Sequence, residues 1–122
     1  MVELQPKNGL ALNNLAWVAG KLGRVDAVSI AERAVATAPN QPAFLDTLAM
    51  LLSEKGEHAK ALDIQKKVVA AQPNSPAFKL NLAKIHVAAG DKATARVLLD
   101  ELEAMGAKFG GQNEVAAVKK SL

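Results

Sequence analysis

Pro39-Asn40-Gln41-Pro42 returns 34 residues later as Pro73-Asn74-Ser75-Pro76. The same offset joins Phe44 to Phe78, Leu48 to Leu82, Ala49 to Ala83, Gly56 to Gly90, Ala59 to Ala93 and Ala61 to Ala95. A fixed period of this length means one supersecondary unit stacked on copies of itself, because a single unit is too small to bury its own apolar face. The chain is therefore expected to be an open array. Arrays of this kind present surface to a partner more often than they enclose a reaction centre.

Each unit reads as two helices. Pro42 suits the first turn of a helix, where its missing N–H is not needed. Apolar residues follow at Leu45, Leu48, Ala49, Leu51 and Leu52, and Gly56 ends the run. A second helix is predicted from His58 to Ala71, with Ala61, Leu62, Ile64, Val68 and Val69 inward. Pro73 stops it. The third unit follows the same plan, with helices from Pro76 to Ala89 and from Lys92 to about Met105. In the first unit Leu15, Ala16 and Gly23 lie 33 residues before their equivalents, whereas Ala27, Pro39, Asn40 and Pro42 keep the 34-residue offset. One residue is thus missing between Gly23 and Ala27, where we expect a shorter loop.

The organisation that follows is a truncated end of a preceding repeat at 1–8, repeats at 9–41, 42–75 and 76–109, and a capping helix at 110–122. Val2 to Asn8 matches the end of a second helix (compare Val69 to Asn74), so we expect the C-terminal part of a longer array. Phe109-Gly110-Gly111 breaks the pattern. Gln112 to Leu122 then reads as a last helix with Val115, Ala116, Val118 and Leu122 inward. The outer face of the first full helix should be bare, and a bare apolar face invites a partner or a second copy.

This helix-turn-helix resembles the tetratricopeptide repeat. With Pro42 as first position, that family expects Leu and a small residue at the seventh and eighth positions, Gly at the fifteenth, Ala at the twentieth and Pro at the thirty-second. Leu48, Ala49, Gly56, Ala61 and Pro73 occupy those places. Leu82, Ala83, Gly90 and Ala95 repeat them, and Leu15, Ala16, Ala27, Ala34 and Pro39 fit the first unit. The family's fourth-position Trp is replaced by Leu12, Leu45 and Lys79, and its eleventh-position Tyr by Ala19, Leu52 and His86. The resemblance implies an all-α, right-handed α-solenoid of three such units with a C-terminal cap. Ala27, Ala61 and Ala95 stand where paired helices approach closely, and a leucine there would cost about 1–3 kcal/mol. More narrowly, Leu12 to Trp17, Leu45 to Leu48 and the Phe109 tail resemble the C-terminal repeats of bacterial exosortase (PEP-CTERM) and exopolysaccharide-associated lipoproteins of this family. That implies a parent on the periplasmic side of an envelope.

In the family the first helices line a concave groove, which implies a protein or peptide partner held there. The positions map to Asn13, Asn14, Trp17 and Lys21 in the first unit. They map to Asp46, Thr47, Met50 and Glu54 in the second, and to Asn81 and Lys84 in the third. Asn14 and Asn81 offer both donors and acceptors to a peptide backbone, and Trp17 and Met50 offer apolar anchors. The family's carboxylate-clamp positions hold Asn13, Trp17, Ala77 and Asn81, so the cations that bind a chaperone tail are missing. The alternative is a purely structural segment that forms a homodimer through the bare N-terminal face, with an empty groove.

Other chemistries find little support. The 15 basic and 12 acidic residues are interspersed rather than gathered with aromatics, which argues against nucleic acid. The sequence has no 18-residue apolar run, so no direct membrane insertion is expected. Absence of cysteine, with His58 and His86 far apart, argues against a metal site. His86 falls on the inner stripe and is read as a core residue, whereas His58 is expected to be exposed. Ser29, Ser53, Ser75 and Ser121 lack the context of a nucleophile. We therefore expect no enzyme activity and no cofactor.

Overall fold

The computed structural model describes residues 9–106 and 110–122. Among these are seven helices: α1 (Gly9–Lys21), α2 (Ala27–Thr37), α3 (Pro42–Glu54), α4 (His58–Ala71), α5 (Pro76–Ala88), α6 (Lys92–Ala104) and α7 (Gln112–Lys120). They pack as α1 with α2, α3 with α4 and α5 with α6, and neighbouring pairs stack so that α1, α3 and α5 lie side by side. The expected all-α array of paired helices with a last single helix is the observed one. The segment read as a truncated repeat, 1–8, and the break at Phe109 lie outside the described residues.

The turns within pairs share one backbone device. After α1, the Arg24 N–H donates to Ala19 O at 2.9 Å and the Gly23 N–H to Gly20 O at 3.1 Å. Glu57 and Gly56 repeat this on Leu52 O and Ser53 O, and Asp91 and Gly90 on His86 O and Val87 O. This closure needs a left-handed residue, supplied by Gly23, Gly56 and Gly90 at φ 72°, 90° and 89°. The glycine of the period is therefore fixed by a turn that side-chain-bearing residues adopt only with strain.

The missing residue of the first unit acts differently from expectation. The segment between α1 and α2 runs from Leu22 to Asp26, whereas Lys55 to Glu57 joins α3 to α4. The loop is longer, not shorter. Because the glycine turn is retained intact, the deletion removes the first turn of the second helix: α2 begins at Ala27, equivalent to Ala61, whereas α4 begins earlier, at His58. Val25 and Asp26 lie in the turn, with Asp26 held by Arg24 at 2.9 Å.

Two apolar clusters run through the stack. The larger joins α1, α2, α3 and α4 around Leu12, Ile30, Phe44, Leu48 and Leu51, and reaches Ile85 of α5. The smaller joins Leu80, Ala83, Leu99 and Leu102 to Val115 of α7. Ala27, Ala61 and Ala95 are buried at the close approaches. The last helix is also tied by polar contacts: Gln112 Nε2 donates to Leu102 O at 2.7 Å and Gly106 O at 3.1 Å. Lys119 bonds Asp100 and Glu103, and those hydrogen bonds hold its ammonium pKa above the usual lysine value. Ala116, expected inward, is exposed; Val115, Val118 and Leu122 form the inner face.

Candidate functional site

The solvent-facing side of the first helices follows from helical spacing. On α1, Leu10, Asn14, Trp17 and Lys21 recur at intervals of four, three and four, and are exposed. On α3 the equivalent positions are Ala43, Thr47, Met50 and Glu54, of which Thr47 is buried with Asp46 half-buried beside it, and on α5 they are Ala77, Asn81, Lys84 and Ala88. Since the helices lie side by side in one register, the three stripes form one surface.

Its two ends differ in chemistry. Toward the C-terminal end the polar groups already hold one another. Asp46 Oδ1 accepts from Gln65 Nε2 at 2.6 Å, and both of its oxygens accept from Asn81 Nδ2 at 3.1 Å. Gln65 Nε2 also donates to Phe78 O at 3.0 Å, so a fully buried glutamine of α4 links α3 to the start of α5. Burial raises the Asp46 carboxyl pKa above the ordinary aspartate value, opposed by the Asn81 and Gln65 hydrogen bonds and then by the Lys84 charge. Lys84 is itself ion-paired with Glu114 of α7. Thr47 is buried, and its hydroxyl donates to Ala43 O at 3.2 Å within its own helix. Thr47 is therefore covered rather than open to a ligand, and Asn81 and Lys84 are engaged inside the fold.

At the other end the groups stand open. Trp17 is 46% exposed, and the Lys21 ammonium lies over its ring, 4.6 Å from the centroid. Met50 is half-buried in the same register on α3, and Asn14 and Glu54 are exposed. Asn13 is half-buried, with its side-chain oxygen shielded and accepting no hydrogen bond. The surface thus offers an aromatic and a thioether flanked by one cation and one anion. Sequence reading missed Gln65 and Glu114. A polar residue four positions after Ala61, on an otherwise apolar stripe, was the available signal for Gln65.

A second surface lies on the outer side of α1. Leu15 is 47% exposed, whereas its equivalents Leu48 and Leu82 are each 7% exposed. Val18 is 51% exposed against 4% for Leu51 and 0% for Ile85. In the later repeats these positions are covered because α2 packs on α3 and α4 on α5. On α1 the same side chains face outward.

Of the two histidines, His86 is buried as expected, and burial lowers its pKa below the ordinary histidine value despite Asp91 nearby. His58 is half-buried rather than exposed, since it opens α4 against the preceding turn. Among the described residues no group of three or more His, Cys, Asp or Glu is placed to hold a metal ion. No described helix is long and apolar enough to cross a membrane.

A family model described as tetratricopeptide repeat matches residues 52–122. A search of curated proteins returns no match. Among solved structures, the chain is similar to the Yersinia enterocolitica type III secretion translocator chaperone SycD, crystallised as an alternative dimer. The TM-score is 0.77 at 18% identity, over 98% of this chain and 95% of that one. It is also similar to MamA protein, with a TM-score of 0.68 at 19% identity, over 88% of this chain and 61% of that one. At these identities the structures speak to the fold alone.

Proposed function

We propose a function from one premise: this chain belongs to the tetratricopeptide repeat family. On that premise it is a non-enzymatic protein-interaction scaffold, and it holds a partner peptide or helix on the surface of α1, α3 and α5. The observation that carries this reading is the half-exposed Trp17 with Lys21 over its ring, beside Met50. Solvent-exposed aromatics in register with an apolar neighbour are the side chains that dominate binding energy at interfaces. Recognition is centred on Asn13, Asn14, Trp17, Lys21, Met50 and Glu54. Asp46, Asn81 and Lys84 shape the far end of the surface and act chiefly through the fold.

The test uses Trp17 as its own probe, since it is the single tryptophan of the chain. Peptides selected for binding should shift its emission. Trp17→Ala combined with Met50→Ala should weaken them by about tenfold or more. Selected peptides that bind this double variant unchanged would sink the reading.

A second reading is favoured by the outward Leu15 and Val18, whose equivalents are buried by a neighbouring repeat. In that reading the chain self-associates through the outer face of α1, and SycD, a structure of the same fold, was crystallised as a dimer. The finer setting, a bacterial envelope protein linked to exopolysaccharide export, rests on the Leu12 to Trp17 and Leu45 to Leu48 resemblance. Neither the family model nor the two solved structures bear on it.

A further inference from the structure

The shortened first repeat creates a feature that the lost helical turn explains. Between the α1–α2 turn and the end of α3 lies a cavity of about 300 Å³, lined by Gly20, Val28 and Leu51 and rimmed by Arg24, Glu54 and Lys55. That volume is at the lower limit for small-molecule sites and leaves ample room for an inserted aliphatic side chain. Val25, on the same rim, is 94% exposed. A projecting apolar side chain beside an apolar hollow suits a two-fold interface, in which each copy supplies both halves of the contact.

The rim charges have the same self-complementarity. Arg24 is engaged by Asp26, but Glu54 and Lys55 have no ion-pair partner among the described residues. A two-fold axis passing between them would bring each Glu54 to the Lys55 of the other copy. Leu22, 71% exposed, carries the apolar area from Val25 back along α1 toward Val18.

We propose that a second copy of this chain docks at the α1–α2 turn. Val25 of each copy enters the cavity of the other, and Glu54 and Lys55 pair across the two-fold axis. This rests on the self-association reading and assigns its contact to the turn end of the α1 face. A small apolar ligand would fill the cavity but would give Glu54 and Lys55 no partner.

Sedimentation equilibrium of the full chain, with circular dichroism to confirm folding, tests the proposal. The wild type should dimerise, and Val25→Asp should weaken the dimer about tenfold or more. Glu54→Lys and Lys55→Glu should each weaken self-association, yet an equimolar mixture of the two variants should form a heterodimer tighter than either homodimer. A wild type that stays monomeric at every concentration overturns both this contact and the self-association reading. A dimer that is lost in Leu15→Asp but indifferent to Val25→Asp and to the charge-swapped mixture overturns this contact alone.

Discussion

At the scale of single residues, the same helix-face rule that exposes Trp17 also placed Asn81 on the partner surface, but only the structure gives Asn81 its partners. Asp46, Gln65 and Asn81 come from three helices, and nothing in a linear period pairs a carboxylate with amides on the next two helices. The network makes distinct predictions. Gln65→Ala leaves Asp46 and Phe78 O short of a donor and should cost about 1–3 kcal/mol by urea denaturation. Because burial raises the Asp46 pKa above 3.8, the native state takes up its proton more readily than the unfolded chain does. Asp46 therefore adds relative stability as pH falls from neutral through its native value toward 3.8. Urea midpoints of the wild type and Asp46→Asn should diverge in that window, in favour of the wild type. His86 has the opposite sign. Its pKa is lowered from 6.5, so its contribution is present above 6.5 and is lost as pH falls through 6.5 toward the native value. His86→Gln should remove that acid-side loss, and equal pH slopes in wild type and variant would refute the assignment.

At the scale of elements, most boundaries were legible because proline and glycine fix backbone angles locally. Pro42 and Pro76 begin α3 and α5, and Gly56 and Gly90 close the turns after them. The deletion was legible in position but not in effect. A loop was expected to absorb it; instead the glycine closure held, and α2 lost its first turn. The hydrogen bonds of that closure are between backbone groups, so they are conserved by geometry while side-chain spacing shifts. Gly56→Ala should therefore cost about 1–2 kcal/mol from the left-handed angle alone, since no atom stands within 4 Å of the added methyl. Gly9→Ala tests a different cause at the start of α1. Its Cβ would lie 2.1 Å from Thr37 Oγ1 and 2.7 Å from Phe44 Cε2, so the loss there comes from overpacking, about 1–3 kcal/mol. Thermal denaturation of the two variants beside Gly56→Asn separates the causes, because asparagine tolerates the left-handed region better than alanine.

At the scale of the whole molecule, a stack of repeats is held by contacts between neighbours, so local damage should stay local. The two apolar clusters make this concrete: one runs from α1 through α4 to Ile85 of α5, and the other holds α7 against α5 and α6. Val115 is fully buried and is the one residue of α7 inside the smaller cluster's buried set. Val115→Asp would place an unpaired carboxylate among Leu80, Leu99 and Leu102, a cost large enough to release α7. Lys84 would then lose Glu114 and keep its field on the Asp46 carboxyl. Hydrogen exchange should therefore speed up first in α7 and next in α5 and α6, while α1 to α3 keep their protection. If α1 and α2 lose protection to the same extent, the molecule unfolds as one unit and the two-cluster description fails. The localised outcome also bears on binding, because Trp17 and Met50 lie on the α1 and α3 side of the stack. A Val115→Asp variant with a loosened C-terminal end should still hold peptides anchored on those two side chains, which separates the partner surface from the cap that stabilises the array.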